Sequence, residues 1–386
     1  MDGKSIMKKL NLVVLGDICP TEDILHHFNE ATPEDLLPDI IPLLDASDIL
    51  VGNLEFSLSS ELTPAIKTGP ILHAYPQCIN FFKKLKFDAL SLANNHIKDC
   101  GSKSVLETIE IFNDSNIKTF GAGSNQDEAK EPHIFDKNGI KVCLISFAEH
   151  EFNAAYEYEP GAALFDPYFD LDRIQTLKEN VDVLIVIYHG GIEHYQYPSP
   201  ELQKKCRRMV DKGADFVVCQ HSHIIGTEEQ YNNGRILYGQ GNSIYGYRHG
   251  DKAWNQGLIV NIQITKVFDD IEIKFEYTPI EAAKDSLKLL DSDAATKLLD
   301  NFNLDSSFIQ NSDFIQSKWL DFCDSKKGLY FPQLYGFGRV LNKANRLINN
   351  KIIDVLFNDT KKMITHNLIR CESHNEVVQT ILNKES

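Results

Sequence analysis

Two histidines, one residue apart, close an apolar run in the middle of the sequence. They are His221 and His223, in the segment VVCQHSHIIG at residues 217–226. Imidazole is the most common protein ligand for transition metals. Because side chains two residues apart on an extended segment point to the same side, the pair is predicted to bind either one metal ion together or two ions separately.

Four other apolar runs end in the same way, in a carboxylate, an amide or an imidazole. The runs are VVLGDICP with Asp17, ILVGNLEFS with Glu55, LSLANNHIKDCG with Asn95 and LIVIYHGGIEH with His189. Each residue alone has an ordinary structural explanation; Asp17, for example, could cap a helix or form a turn. Together they predict a site for two divalent cations with one bridging carboxylate, in which the ligands are Asp17, Glu55, Asn95, His189, His221 and His223.

These ligand types restrict both the metal and the reaction. Mixed carboxylate, amide and imidazole ligands suit Mn²⁺, Fe²⁺ or Zn²⁺ better than Ca²⁺, which prefers an all-oxygen shell. Two such ions ~3.5–4 Å apart would activate a water and hold the oxygens of a phosphoryl or acyl centre. The sequence therefore predicts hydrolysis, and it does not separate these two kinds of centre.

A candidate acid stands directly after one of the ligands. His96 follows Asn95 and is the predicted proton donor to a leaving group. Asp99, three residues later, is either the partner that orients His96 or the cap of a helix beginning near Ser102. The two interpretations of Asp99 carry equal weight.

Other polar residues near the ligands are candidates for contacting the substrate. Asn53 and Asn94 each stand close in sequence to a ligand, and the segment SFAEHEFN, with Glu149, His150, Glu151 and Asn153, is a candidate substrate-side wall. A solvated loop is an equally good interpretation of that segment.

The ligands stand at the ends of predicted strands. Apolar, β-branched runs alternate with helix-like stretches over roughly the first 230 residues, which is the pattern of an α/β sheet covered by helices. In such sheets ligands bind at the carboxyl ends of the strands. The predicted strands lie at 12–15, 49–51, 89–92, 142–147, 183–188 and 216–219, and the predicted helices at 33–44, 102–113, 170–179 and 199–212.

The pattern changes after about residue 229. Short alternating segments at 236–238, 258–264 and 271–277, separated by turn residues, predict antiparallel hairpin strands that close the sheet. Beyond Pro279 the apolar spacing becomes helical, with helices predicted at 282–302, 307–322, 340–357 and 374–382. We therefore predict two regions: residues 1–284 with the sheet, and residues 285–386 as a helical C-terminal appendage.

Composition excludes several classes of function. The net charge is −16, from 55 acidic against 39 basic residues, which argues against nucleic-acid binding and against docking on an anionic membrane. The eight cysteines form no C-x-x-C pair, as is typical of reduced thiols in the cytoplasm. The N-terminal apolar run is too short for a signal peptide, and no run reaches the ~20 apolar residues of a spanning helix. We expect a cytoplasmic protein with no membrane insertion.

The negative charge also bears on the substrate. An anionic substrate would be repelled at long range, so its binding would depend on the local field of the metals and on nearby cations. Lys67 and Arg248 are candidates for such cations. For each of them, a solvated surface charge is the more typical role.

Six motifs, in this order along the chain, resemble a known family. They are GDICP, GNLEFS, ANNHIKDCG, YHGGIEH, QHSH and YGQGNSIYG. The set resembles the CapA proteins of capsule synthesis, which are associated with bacterial poly-γ-glutamate capsules and are similar to the calcineurin-like metallophosphoesterases. The resemblance covers roughly residues 10–265 and implies a four-layer α/β/β/α sandwich with a dinuclear metal site.

The resemblance also implies how the ligands divide between two metals. Asp17 and His223 would bind the first metal and Glu55 would bridge, while the second metal would be bound by Asn95, His189 and His221. His96 matches the acid of the Asn-His motif. Asn242, in GQGNS, matches a Gly-Asn segment that lines the same cleft, and it is therefore a candidate substrate contact.

Three positions depart from the pattern of these families. Cys19 stands where metallophosphoesterases generally have a histidine, and Glu55 where they have an aspartate. Cys19 could be a thiolate ligand, a buried thiol or a spectator, so one metal could bind weakly, or only one could bind. His194 stands where CapA proteins often have tyrosine, and Glu193 beside it is a candidate base or outer-shell carboxylate.

The function expected from these residues and from the resemblance is a metal-dependent, phosphoesterase-like hydrolase. It would act on an intermediate of capsule, surface-polysaccharide or polyglutamate biosynthesis. Two alternatives remain open: a non-catalytic, metal-containing binding subunit of a polymer-synthesis complex, docked to other synthesis proteins through residues 285–386, or an enzyme that hydrolyses or transfers a γ-glutamyl amide. In each case the expected partner is a small-molecule or polymer substrate that carries negative charge.

Overall fold

The computed structural model describes residues 7–21, 23–348 and 351–385. Its strands, in chain order, are β1 (Lys8–Ile18), β2 (Ile49–Leu54), β3 (Ser57–Leu58), β4 (His73–Ala74), β5 (Ala89–Ser91), β6 (Lys118–Phe120), β7 (Ala122–Gly123), β8 (His133–Lys137), β9 (Ile140–Ala148), β10 (Gly161–Ala162), β11 (Val183–His189), β12 (Phe216–Gln220), β13 (Glu228–Tyr231), β14 (Gly234–Leu237), β15 (Asn242–Ile244), β16 (Gln256–Val267), β17 (Asp270–Ala283) and β18 (Ser286–Leu289).

The helices alternate with these strands and then continue alone to the C-terminal region. In chain order they are α1 (Leu25–Glu30), α2 (Pro33–Leu36), α3 (Ile41–Asp45), α4 (Ile79–Leu85), α5 (Ser102–Asp114), α6 (Gln126–Ala129), α7 (Asp170–Lys178), α8 (Pro200–Asp211), α9 (Lys252–Asn255), α10 (Ser292–Ser306), α11 (Ser312–Leu334), α12 (Arg339–Leu347), α13 (Lys351–Leu356), α14 (Asp359–Arg370) and α15 (Glu372–Glu385).

Two large sheets carry the fold. The first has the strand order β18-β17-β16-β1-β2-β5-β6, with the short β15 paired to the end of β1. Strands β1, β2, β5 and β6 are parallel, whereas β16, β17 and β18 form an antiparallel flank. The second sheet has the order β13-β14-β12-β11-β9-β8, and only its two edge strands are antiparallel to their neighbours. The segment predicted at 236–238 belongs mainly to β14, which forms an antiparallel hairpin with β13 and also pairs in parallel with β12.

Alternation of side chains along the strands sorts the core into separate layers. On β1, Leu12 and Val14 belong to the apolar cluster between the two sheets, while Val13 and Leu15 belong to the cluster beneath helices α1 to α5. Helices α6, α7 and α8 cover the outer face of the second sheet in the same manner. This order of helices, sheet, sheet and helices confirms the predicted α/β fold and its four-layer α/β/β/α arrangement.

The C-terminal region is helical, as predicted, and by compactness the chain divides between Gln316 and Ser317. Before that point, Phe302 of α10 is buried in the core between the sheets, and Ile315 at the start of α11 is buried in the core of the second sheet's outer face. In the second unit, α14 and α15 contact each other. The domain boundary expected at residue 284 stays a prediction.

Two predicted helices are wrong in their extent, each for a local reason. The helix predicted at 33–44 is divided into α2 and α3, because Pro38 disfavours helical geometry in the residue before it and has no backbone donor. The helix predicted from residue 282 begins only at Ser292, because Ala282 and Ala283 pair with β18. The apolar spacing of this segment is helical, but its first residues form the β17–β18 hairpin.

The helix predicted at 340–357 is also divided, into α12 and α13, and residues 349–350 within it lie outside the described residues. Helix α14 was not predicted. Among the described residues, no helix combines the length and the apolar character needed to cross a membrane.

The helical layer on the first sheet depends on a cluster of phenylalanines, which generates a prediction about stability. Phe82 is fully buried, and its ring lies 5.2 Å from that of Phe112 and 5.6 Å from that of Phe87, centroid to centroid. Phe82→Ala should lower the free energy of unfolding by about 3–5 kcal/mol, because the cavity left behind cannot fully close. Urea denaturation measures the change, with Phe169→Ala, a change at a 72% exposed ring, as the control. Equal losses in the two variants would contradict the assignment.

Candidate metal centre

Residues predicted as ligands meet although they belong to two different sheets. Asp17, near the end of β1 in the first sheet, has its Oδ1 3.7 Å from Nδ1 of His189, at the end of β11 in the second sheet. His221, after β12, donates its backbone N–H to Asp17 Oδ2 at 3.0 Å. The carboxyl ends of strands from both sheets therefore supply one cluster.

The His-x-His segment is not extended. The prediction that its two side chains point to the same side, as on a strand, is therefore wrong. Strand β12 ends at Gln220, and His221 and His223 both have left-handed backbone conformations, with φ of 89° and 57°. Such conformations cost about 1–3 kcal/mol in residues other than glycine and cluster at functional sites. They send the two rings to different neighbours: His221 Nδ1 lies 3.2 Å from His189 Nε2, and His223 Nδ1 lies 3.6 Å from Asp17 Oδ2.

Two groups of donor atoms could each hold a metal ion, since the atoms within each group lie within 4.8 Å of one another. The groups are Glu55 with His189 and His221, and Asp17 with Glu55 and His223. Glu55 belongs to both: its Oε1 lies 3.4 Å from His189 Nε2 and 3.7 Å from His223 Nε2. Asn95 adds an amide oxygen 2.9 Å from His189 Nε2. All six residues predicted as ligands are thus brought together.

Glu55 provides the test of whether these residues fit a cation. Its side chain is completely buried, and neither carboxylate oxygen has a hydrogen-bond partner among the described residues. Burial raises the pKa of Glu55 to about 8, and burial together with the nearby Glu55 carboxyl raises the pKa of Asp17 to about 7. Because two buried, ionised carboxylates are costly without a positive charge beside them, this donor set fits divalent cations.

The imidazoles are in the form that binds metals. Burial lowers the pKa of His189 to about 4 and the pKa of His223 to about 3, and it also lowers the pKa of His221. Metal ligation requires the neutral ring. These three histidines are therefore neutral at pH 7 without any metal.

Two asparagines predicted as substrate contacts instead hold the candidate ligands in place. Asn53 Nδ2 donates to Asp17 Oδ1 at 2.8 Å and lies 3.1 Å from His189 Nδ1. Asn242 Oδ1 accepts a hydrogen bond from His223 Nδ1 at 2.9 Å, so that Nε2 is the ring atom nearer Glu55. Partners of this kind fix the orientation of metal-binding histidines.

Two further asparagines hold the backbone of the loop after β5. Asn94 Nδ2 donates to the carbonyl oxygen of Leu54 at 2.7 Å, and its Oδ1 accepts from the backbone N–H of His96 at 3.0 Å. Asn153 Nδ2 in turn donates to the carbonyl oxygen of Asn94 at 2.9 Å. Both are fully buried, and this placement fixes the positions of Asn95 and His96.

His96, Asp99 and Lys67 form a buried, connected triad beside the donor groups. Asp99 Oδ2 lies 2.7 Å from His96 Nδ1 and accepts from the backbone N–H of Leu72 at 2.7 Å, and its Oδ1 pairs with Lys67 Nζ. Asp99 makes no cap for α5, whose N-cap residue is Gly101. Of the two interpretations of Asp99, the structure favours the one in which it orients His96.

A cavity of about 260 Å³ opens beside the cluster. Four predicted site residues line it: Asn95, His96, Glu193 and His223. The other described residues of its lining are Lys67, Thr68, Gly69, Pro70, Glu151, Tyr245, Arg248 and Trp254. Asn53, Asn94, Glu149, Asn153 and Asn242 are not among them.

In the loop predicted as a substrate-side wall, Glu149 faces away from the cavity and Glu151 lines it. Glu149 Oε1 accepts from the hydroxyl of Tyr188 at 3.1 Å, on the opposite face of β11 from His189. Glu151 Oε2 lies 3.5 Å from Asn95 Nδ2, and Glu151 Oε1 lies 3.9 Å from His221 Nε2. Of the residues predicted for this wall, Glu151 lines the cavity, whereas Glu149 and Asn153 do not.

Three cavity residues were missed or weighed too low. Lys67 was interpreted as a surface charge, but its side chain is only 3% exposed. The ring of Trp254, which no motif indicated, lies 4.6 Å from the ring of His223, and the guanidinium of Arg248 lies 3.0 Å from the centroid of Trp254. Only a long-range contact between the loop after β15 and the His-x-His segment brings Trp254 there.

Cys19 lies in the core beneath the helices of the first sheet and is 2% exposed. Burial raises the pKa of its thiol well above the ordinary value, which disfavours the thiolate that metal ligation requires. It belongs to neither donor group among the described residues. Its surroundings are those of a buried thiol.

Comparison with known proteins supports a family assignment. The family model described as bacterial capsule synthesis protein PGA_cap matches residues 11–247. The "Capsule biosynthesis protein CapA" of Bacillus anthracis is 28% identical over 258 residues, which are 64% of this chain and 62% of that protein. The "PGA biosynthesis protein CapA" of Bacillus subtilis is 27% identical over 294 residues, which are 72% of this chain and 75% of that protein. The chain therefore spans less than two thirds of the length of the first of these relatives.

A third relative, in Mycobacterium tuberculosis, is named "Probable polyglutamine synthesis accessory protein" and is 24% identical over 52% of this chain and 57% of its own. Among solved structures, a hypothetical protein from Thermus thermophilus aligns with 69% of this chain and 99% of its own, with a TM-score of 0.44 and 11% identity.

The buried carboxylates generate a prediction about pH in the metal-free protein. Below pH 6.5 the lowered pKa values of the three histidines make stability rise with pH, while the raised pKa values of Asp17 and Glu55 act in the opposite direction. Of these five groups, the two carboxylates are the ones that titrate in the folded protein above pH 6.5, and the stability present while they are protonated is lost as the pH passes about 7 and about 8. In chelator, the free energy of unfolding should fall by on the order of 2 kcal/mol between pH 6.5 and about 9.

Urea denaturation in chelator at a series of pH values measures this slope. Glu55→Gln should remove most of the fall, because it removes one titrating group and relieves the charge that raises the pKa of Asp17. Glu131→Gln, a change on the surface, should leave the slope intact. A fall of the same size in Glu55→Gln would show that other groups cause it.

Proposed function

The chain belongs to the PGA_cap family of bacterial capsule synthesis proteins, and on that premise we propose that it is a metal-dependent hydrolase of the phosphoesterase type. Its substrate would be an anionic intermediate of capsule, surface-polysaccharide or polyglutamate synthesis. The observation that carries the proposal is the buried Glu55, shared by two donor groups and without hydrogen-bond donors of its own among the described residues.

We propose that two divalent cations, of Mn²⁺, Zn²⁺ or Fe²⁺, occupy the two donor groups. Asp17, Glu55 and His223 would hold one, and Glu55, Asn95, His189 and His221 would hold the other. When bound, the cations would supply Lewis-acid polarisation of a phosphoryl or acyl oxygen and acidification of a water. The mixed oxygen and nitrogen donors suit this class of metal.

His96 is the proposed acid. It lines the cavity, and its Nδ1 is engaged by Asp99 at 2.7 Å, so Nε2 is the nitrogen left to give a proton to a leaving group. Lys67 would act through Asp99, because the ammonium balances the charge of the carboxylate that orients the ring. Glu193, exposed at the cavity, stays the candidate for a second proton carrier.

The cavity limits what can reach these residues. With a volume of about 260 Å³, it would admit a phosphate group or a terminal residue of a polymer, not a length of chain. Arg248, whose guanidinium lies over the ring of Trp254, is placed to contact an anionic group at the entrance. An acyl centre, such as a γ-glutamyl amide, fits the same residues, and activity measurements separate it from a phosphoryl centre.

The test is activity of the full chain reconstituted with Mn²⁺ or Zn²⁺ against phosphomonoesters, phosphodiesters and γ-glutamyl peptides. His96→Ala should lower kcat by about 10²–10⁴-fold without changing the metal content, while Glu55→Gln should lose metal. His366→Ala, a change at an exposed histidine of α14, is the matched control. A metal-loaded protein inactive on the whole panel, or an unaffected His96→Ala variant, would count against hydrolysis.

A non-catalytic binding subunit is the second candidate, favoured by the word "accessory" in the name of the mycobacterial relatives. In that case the protein would keep its metals and show no turnover, and His96→Ala would not change its co-purification with polymer-synthesis proteins. Removal of residues 317–386, the second compact unit, would abolish the co-purification.

A further inference from the structure

A second cluster of metal-binding side chains lies apart from the candidate metal centre. His26 and His27 stand side by side in helix α1, and Asp285 lies in the turn between β17 and β18. His26 Nε2 is 3.4 Å from Asp285 Oδ1, and His27 Nε2 is 3.2 Å from the same oxygen. Neighbouring residues of a helix ordinarily point about 100° apart, yet these two rings converge, with centroids 4.0 Å apart.

The two distances from the imidazoles to the carboxylate are those of neighbouring ligands in a tetrahedral site. Zinc binds imidazole nitrogen and carboxylate oxygen at ~2.0–2.1 Å, so two ligands of a tetrahedral ion lie ~3.3–3.4 Å apart. The two distances to Asp285 Oδ1 are 3.2 and 3.4 Å, and all three donor atoms lie within 4.8 Å of one another. Two histidines and one carboxylate are also a ligand set that Zn²⁺ accepts, with a water in the fourth position.

A hydrogen bond accounts for the contact from His27 to Asp285 but not for the contact from His26. A carboxylate oxygen only accepts, so both rings would have to carry hydrogen on Nε2 and share one oxygen. The two distances lie at or beyond the usual limit of ~3.2 Å for N–H···O bonds. A cation among the three atoms would satisfy all of them at these distances.

His27 is supported in the manner of a ligand. Its ring is buried, and its second nitrogen, Nδ1, lies 2.9 Å from the hydroxyl of Thr32. Thr32 is held there by the end of α1, where Ala31 has a φ of 54° and the backbone N–H of Thr32 donates to the carbonyl of His27 at 2.9 Å. An outer partner on the second ring nitrogen is typical of histidines that bind metals.

We propose that His26, His27 and Asp285 form a separate site for one zinc-class divalent cation. The ion would fasten helix α1, which follows the strand that carries Asp17, to the β17–β18 hairpin at the edge of the first sheet. His27 and Asp285 are 258 residues apart in the chain, so this link closes a long loop. The site does not depend on the hydrolase proposal, since it shares no residue with the cavity or with the two donor groups.

The experiment is a zinc count on the full chain. The protein is dialysed against buffered micromolar free Zn²⁺ and analysed for bound metal, and Co²⁺ replaces Zn²⁺ in a parallel sample to record tetrahedral absorption bands. His26→Gln and Asp285→Asn are the test variants; both side chains are about half exposed or more, so folding should be unaffected. His150→Gln, at an exposed histidine elsewhere, is the control.

Each test variant should bind one equivalent of Zn²⁺ less than the wild type and should lose part of the Co²⁺ absorption, while the control keeps both. The rise in the thermal unfolding midpoint on adding Zn²⁺ should also shrink in the test variants. If both test variants bind as much Zn²⁺ as the wild type, the three residues form only an ion pair and the proposal is wrong. In the Glu55→Gln background, His26→Gln should still remove one equivalent of Zn²⁺. This separates the result from the outcome at the candidate metal centre.

Discussion

The buried carboxylate of Glu55 is the constraint on which the rest of this site depends. It has no exposed surface and no hydrogen-bond donor among the described residues, and Asp17 stands beside it in the same buried cluster. A carboxylate in this position must either hold a proton or face a cation. The pKa of about 8 corresponds to the protonated state. The ring nitrogens of His189 and His223, 3.4 and 3.7 Å from Oε1, are placed to share a cation with the ionised carboxylate. Within the described part of the chain, folding thus leaves the Glu55 carboxyl group without a hydrogen-bond partner, and the neighbouring donor atoms are arranged around it.

Two packed sheets are needed to build such a point. One sheet brings Asp17 and Glu55, and the other brings His189 and the His-x-His segment, so neither sheet alone has both the carboxylates and the imidazoles. Apolar side chains between the sheets fix their separation, while buried amides such as Asn53 connect a carboxylate of one sheet to an imidazole of the other. The left-handed backbone at His221 and His223 is a local cost that these contacts offset.

The sequence predicted which candidate ligands lie together better than it predicted which residues position them. An apolar run that ends in Asp17 or His189 is a local pattern, and it remains visible whichever strands finally pair. Asn53 and Asn242 were placed near the site correctly, but their partners lie on distant segments, so a substrate contact and a brace could not be told apart. Lys67 illustrates the same limit: it appears as a surface charge in sequence because its burial depends on Asp99, 32 residues later. The helix predicted from residue 282 is wrong for a similar reason, since pairing with β18 overrides the helical period of the sequence there.

Charge balance in the cavity gives different roles to Lys67 and Arg248, which the sequence presents alike as cations that could contact the substrate. Lys67 is already committed to Asp99 in a buried pair, so its charge is compensated before any substrate arrives. Arg248 has no ion-pair partner among the described residues and lies against Trp254 at the entrance, whereas Glu151 and Glu193 add negative charge to the same walls. In a chain with a net charge of −16, one stacked guanidinium cannot attract an anion against these carboxylates. If the proposed cations occupy the two donor groups, they would supply the attraction for an anionic group, and Arg248 would set the orientation in which that group enters.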